Sequence, residues 1–297
     1  MKVESEPTHR KLSQVDGRYP ITLADGTVVE IGPDHAFEDV RFEHWDLSQF
    51  SLTGCTFTNC SFVNCDLSVV DFSHSKFSNV TFVNSILEEC ALLWTEMEHG
   101  SIQRCSFAEA RFVQGKMTSV AVIGCTFESA NFNKQHFTSC VFDDCEFGGA
   151  VMDGTTFSAT TIYKCSTSSP LEICTSGFLG GVIECSKFRS LKMSDSIFLS
   201  VMIDRVDLWQ AKVTNTKFEE CEILHVGLNL ADLSDVTFDS SHLEASRFRL
   251  VDFTSVSFGS SSVVNCSLKV RMFHARYETP LNSPGTTTVT TYGWAQG

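Results

Sequence analysis

One spacing constrains this chain more than any other property: from Phe37 onward, every fifth residue is apolar. The series Phe37, Phe42, Leu47, Leu52, Phe57, Phe62 runs unbroken to Ile162, 26 positions in all. After an interruption it resumes one residue out of phase at Ile173 and Phe178 and continues for 20 positions to Leu268. Of the 25 Phe, 23 fall on this series, and only Phe50 and Phe273 stand outside it. The position two residues earlier is as restricted. It holds Cys, Ala, Ser, Thr, Gly or Val except at His35, Trp45, Phe50, Gln135, Leu171 and Leu191. A helix cannot carry this pattern, because a 3.6-residue turn would sweep the apolar positions around the whole cylinder. Simple strand alternation fails as well, since an odd period switches faces at every repeat. A chain that turns a corner every five residues satisfies both restrictions. Four corners close a square coil of about 20 residues that stacks on the next at the ~4.8 Å inter-strand spacing.

The runs CTFTNCSFVNCDLSVVDF and CVFDDCEFGGAVM resemble the pentapeptide-repeat family. The resemblance implies an all-β fold, a right-handed quadrilateral β-helix, over residues 35–273. With four pentads per coil the series predicts about 11–12 coils and a rod on the order of 55 Å long. The predicted organisation is an N-terminal arm and capping hairpin at 1–34, the β-helix at 35–273 and an extended tail at 274–297. The hairpin is read from Ile21–Ile31 with its Asp25-Gly26 turn. Trp45 and Phe50 place bulk in small slots of the first coil, as a plug would. The phase slip predicts a bulge or short loop within 166–177, at Ser168-Ser169-Pro170.

The chemistry that the composition invites is not supported by spacing. The 13 Cys contain no CxxC pair; ten of them fill the small inward slot and Cys165 continues its phase. That is the pattern of a small hydrophobe in a reducing compartment. Only Cys174 and Cys185 fall outside the slots and are candidates for reactivity. No His sits at a paired metal-ligand spacing, and Ser73–Lys76, a superficial SxxK match, lies inside the repeat. Paired acids such as Glu88-Glu89, Asp143-Asp144 and Glu219-Glu220 read as solvated outward positions. The sequence therefore predicts no enzyme, no cofactor and no metal. It has no apolar run long enough for a transmembrane helix and no apolar leader, so a cytoplasmic location is expected.

The net charge of −14 argues against nucleic acid or an anionic membrane as a direct partner. Residues 31–100 carry 11 acidic and 2 basic side chains, so most of the negative field covers the first coils. Phe at the large slot and Cys at the small one is the flavour of the quinolone- and albicidin-resistance members. That resemblance implies a DNA mimic that binds a type II topoisomerase, DNA gyrase or topoisomerase IV, to protect or inhibit it. Contact is then expected through Glu38, Asp39, Glu43, Asp46, Asp66 and Asp71. The chain departs from those members in ending in a Thr/Pro/Gly-rich segment without a helical period. Tyr292 and Trp294 in that segment read as docking aromatics, and the Thr-rich run before them as a strand available to a partner or to homo-oligomerisation through a terminus. The alternative function is a structural or interaction module, a phage or secretion-system component or a delivered effector, held through its non-repeat ends.

Overall fold

The computed structural model describes residues 18–276 and 288–291, with side chains over 18–267. The inward residues of each coil build four columns. Along the first face Phe37 stands in register with Phe57, and Phe57 with Phe77, each one coil further on. The second face pairs Phe42 with Phe62 and Phe62 with Phe82. The third and fourth faces are laddered through the bridges Asp46↔Asp66 and Ser51↔Asp71. All these pairings are parallel, and the repeats form a β-solenoid of about 11 turns.

The large slot is filled by aromatic stacking. Phe57 and Phe77 lie 5.1 Å apart with ring planes 7° from parallel, and Phe178 and Phe198 lie 4.3 Å apart at 3°. Across a corner the contact is edge-on, 5.4 Å and 69° between Phe57 and Phe62. Both are favoured geometries for a ring quadrupole, so one residue type serves two directions of packing.

The small slot does more than leave room. Ser75 Oγ donates to the Leu52 carbonyl at 2.8 Å in the coil beneath while accepting the Cys55 amide at 3.0 Å. Cys60 and Cys65 place Sγ 3.4 Å from the carbonyls of Phe37 and Phe42. Ser, Thr and Cys thus pin a coil to its neighbour from inside, a role that reading Cys as a plain hydrophobe overlooks.

Corners are set by backbone rather than by a residue signature. At nearly every corner one residue in five adopts left-handed φ, among them Asn59 (52°), Asn64 (52°), Val69 (56°), His74 (62°) and Asn79 (55°). At the corner after the third face the turn closes with an amide bond from Val70 to the Leu67 carbonyl, 3.3 Å. This is the hydrogen-bonded turn whose third residue needs positive φ.

The slip of phase is a single inserted residue. Glu146 bridges Ser166, a step of four whole pentads, but Ser166 bridges Lys187 rather than its neighbour Ser186. Val151 likewise pairs with Glu172. Half-buried Thr167 therefore stands in the third-face column between Phe147 and Phe188. An apolar cavity of about 60 Å³ lies inside the coils here, bordered by Phe147, Ile162, Leu171 and Phe188 among others. At the amino end Tyr19–Thr22 pairs antiparallel with Val28–Ile31, and Tyr19 meets Phe50 edge-on at 5.1 Å. At the other end Thr288–Thr291 pairs in parallel with Ser267–Val270. The sequence reads this run as available to a partner; it lies instead on the chain's own last coil. That coil would otherwise present unpaired N–H and C=O groups.

Candidate interaction surface

The six acids singled out from the sequence do not share a surface. Glu38 projects from the first face and Asp39 from the corner after it, where Asn59 Nδ2 donates to Asp39 Oδ1 at 3.1 Å. Glu43, on the second face, is gripped by Arg41 through Nε at 2.9 Å and Nη2 at 3.1 Å, which holds its carboxyl below the usual range. Asp71 lies on the fourth face. Burial acts to raise its pKa, but hydrogen bonds from Ser73 and Thr53 outweigh burial and leave it lowered. Only Asp46 and Asp66 stand one above the other, both on the third face. Each accepts the amide of the Ser two residues on at 3.0 Å, which fixes its carboxylate against the surface. Tyr292 and Trp294 lie outside the described residues.

The third face carries the acidic surface that the sequence reading missed. Above Asp46 and Asp66, the outward positions and the trailing corner supply Glu88, Glu89, Glu109, Glu128 and Glu146. Between Asp46 and Glu146 these positions hold no Lys or Arg. Among the described residues, none of these seven acids is in an ion pair, whereas Lys76 pairs with Glu96 at 3.4 Å on the opposite, first face. Glu88 and Glu146 accept hydroxyls from Ser106 (2.8 Å) and Ser166 (2.6 Å). Seven charges over five inter-coil steps of ~4.8 Å give about one charge per 4 Å of rod. The signal lay in the sequence, in residues one coil apart, and not in adjacent acids.

Among the described residues no group of three or more His, Cys, Asp or Glu is placed to hold a metal ion. The thiols of the column Cys105, Cys125, Cys145, Cys165 are free and buried. The neighbouring Cys125 thiol, together with burial, pushes Cys105 and Cys145 well above the ordinary thiol range. Cys174 and Cys185 are free and half-buried, and Arg205 Nε donates to Cys185 Sγ at 3.3 Å. No helix among the described residues is long and apolar enough to cross a membrane.

With this geometry in place, the family follows from direct matches. A pentapeptide repeat region matches residues 35–112, and pentapeptide repeats (8 copies) match 123–158 and 231–269, together just over half of the chain. The chain belongs to the pentapeptide-repeat family. Solved structures similar to this pentapeptide-repeat protein include QnrB1, a plasmid-mediated fluoroquinolone resistance protein, at 18% identity over 64% of this chain and 87% of that one, TM-score 0.31. HetL, involved in heterocyst differentiation regulation in the cyanobacterium Nostoc, is 14% identical over 81% and 90%, TM-score 0.24. The A-module of the Azotobacter vinelandii mannuronan C-5 epimerase AlgE4 is 8% identical over 88% and 91%, TM-score 0.42. The family rests on the repeat matches and the coil register, and none of these likenesses adds to it. No curated protein matches the sequence.

Proposed function

We propose that this pentapeptide-repeat protein is a non-catalytic, protein-binding rod that presents the acidic ladder of its third face to a cationic groove built for nucleic acid. The observation that carries this reading is the ladder itself, seven carboxylates from Asp46 to Glu146 with no cation among them. Its spacing of about one charge per 4 Å is close to the ~3.4 Å between phosphates along one strand of duplex DNA. A stack of coils holds its backbone by inter-coil hydrogen bonds, so the charges are presented without a backbone ordering cost at binding. The Phe/Cys flavour of the repeats directs the choice of partner to a type II topoisomerase, gyrase or topoisomerase IV. The unpaired thiols suit a reducing compartment, the cytoplasm.

The test is DNA supercoiling by gyrase, and drug-stabilised cleavage by the same enzyme, with the protein added at rising salt. The expected result is inhibition or protection that fades as salt rises, since charge–charge attraction is screened over ~8 Å at physiological ionic strength. No effect on either reaction, with topoisomerase IV giving the same result, removes the topoisomerase and leaves a rod held through its ends.

A further inference from the structure

We infer that the third face is self-complementary and pairs two copies of this chain antiparallel. The face that is purely acidic up to Glu146 reverses sign beyond the inserted residue. Among the described residues its charged outward positions there are Lys187, Arg189, Arg247 and Arg249, all exposed, with Asp207 the single acid. Arg189 Nε holds Asp207 at 2.7 Å. Among the described residues no ion pair engages Lys187, Arg247 or Arg249. In a chain of net charge −14, one face thus carries acid on one half and base on the other.

A two-fold axis lying in the contact plane, perpendicular to the rod and through the Ser166 coil, reverses rod direction while keeping each outward column opposite itself. The bridge series then dictates the pairs. One coil to either side of the axis, Glu146 faces Lys187. Two coils out, Asp207 faces Thr126, and Glu128 faces Trp209, which is 38% exposed. Three coils out, Ser106 faces the side-chain-free Gly227. Four coils out, Glu88 faces Arg249 and exposed Ile86 faces Arg247. No like charges oppose each other in these columns. The coil on the axis offers Ser166 and Ser168, small and uncharged, so the faces can approach. Such an isologous contact needs only one surface that complements itself, and complementary potentials set both its register and its rate of formation.

The pairing covers the acidic ladder from Glu88 to Glu146, so a self-associated rod has that stretch occupied. The pairing itself does not depend on which other partner the ladder takes. It is tested on the full chain by sedimentation velocity, without any topoisomerase. The expected result is a dimer at ~50 mM salt that dissociates toward ~500 mM, where screening shortens to a few ångströms. Glu88→Lys, and separately Arg249→Glu, should each weaken the dimer ~10-fold or more. Mixing the two variants should restore a 1:1 heterodimer. Circular dichroism identifies any variant that fails to fold, and the wild-type salt series stands without them. A wild-type monomer in low salt, or a dimer indifferent to both reversals, overturns the pairing. A monomer that instead retards duplex DNA assigns the basic half-face to nucleic acid and overturns it too.

Discussion

At the residue scale the fold is decided by a few positions that break the repeat's own rules. Gln135 puts a long amide into a fully buried small slot. Its Oε1 accepts the Gly115 amide at 3.0 Å, while its Nε2 has no partner. A Cβ on Gly115 would stand 2.7 Å from that oxygen and 2.8 Å from the Thr95 carbonyl. The two residues are one adaptation, and a thermal-melt cycle should show it. Gly115→Ala alone should cost about 1–3 kcal/mol, and adding Gln135→Ser, which keeps an acceptor in the slot, should recover part of the loss. Strictly additive effects would contradict the coupling. Val69 sets a second test, because a β-branched residue at φ 56° and 57% exposed is strained without packing in return. Val69→Asn should raise the thermal midpoint, by about 1 kcal/mol of stability. The thiols give a third. In a native-state titration Cys174 and Cys185 should react while the eleven buried thiols wait for unfolding.

At the scale of the element, the strands Thr156–Tyr163 and Gly177–Glu184 pass through a corner where neighbouring coils bend. Thr160 pairs with Gly181 across that corner. A Cβ on Gly181 would lie 2.2 Å from the Thr160 carbonyl oxygen, whereas one on Gly180 meets nothing within 4 Å. Gly181→Ala should therefore forfeit several times the stability lost in Gly180→Ala, which carries only the left-handed backbone penalty of about 1 kcal/mol. Equal losses in urea unfolding would show that backbone conformation alone, and not the close approach, holds this glycine. These local features explain what the sequence disclosed and what it did not. The five-residue period at Phe57, Phe62 and Phe77 reveals coil, core and phase slip, because each inward slot tolerates so few residue types. The corner conformation is illegible, since Val69, Trp94 and Arg104 occupy left-handed positions as readily as Asn59 does. The Gln135–Gly115 adaptation is half visible, as an intruder in a small slot whose complement lies one coil earlier.

At the scale of the whole molecule, each of the four faces presents its own columns of outward residues. Adjacent acids in the sequence diverge across faces, as Glu38, Glu43 and Asp71 do, while distant ones converge, as Asp46, Glu88 and Glu146 do. Charge density along the chain therefore locates the acidic end but not the acidic face. The most direct test compares two variants of equal charge in gyrase supercoiling and cleavage assays. In one, Glu88, Glu89, Glu109 and Glu128 of the third face and its trailing corner become Gln. In the other, Glu38, Glu96 and Glu98 of the first face become Gln and Asp39 of its corner becomes Asn. The account predicts that the third-face variant loses the effect on gyrase and that the first-face variant retains it. Equal loss in both, or loss in the first-face variant alone, would contradict it.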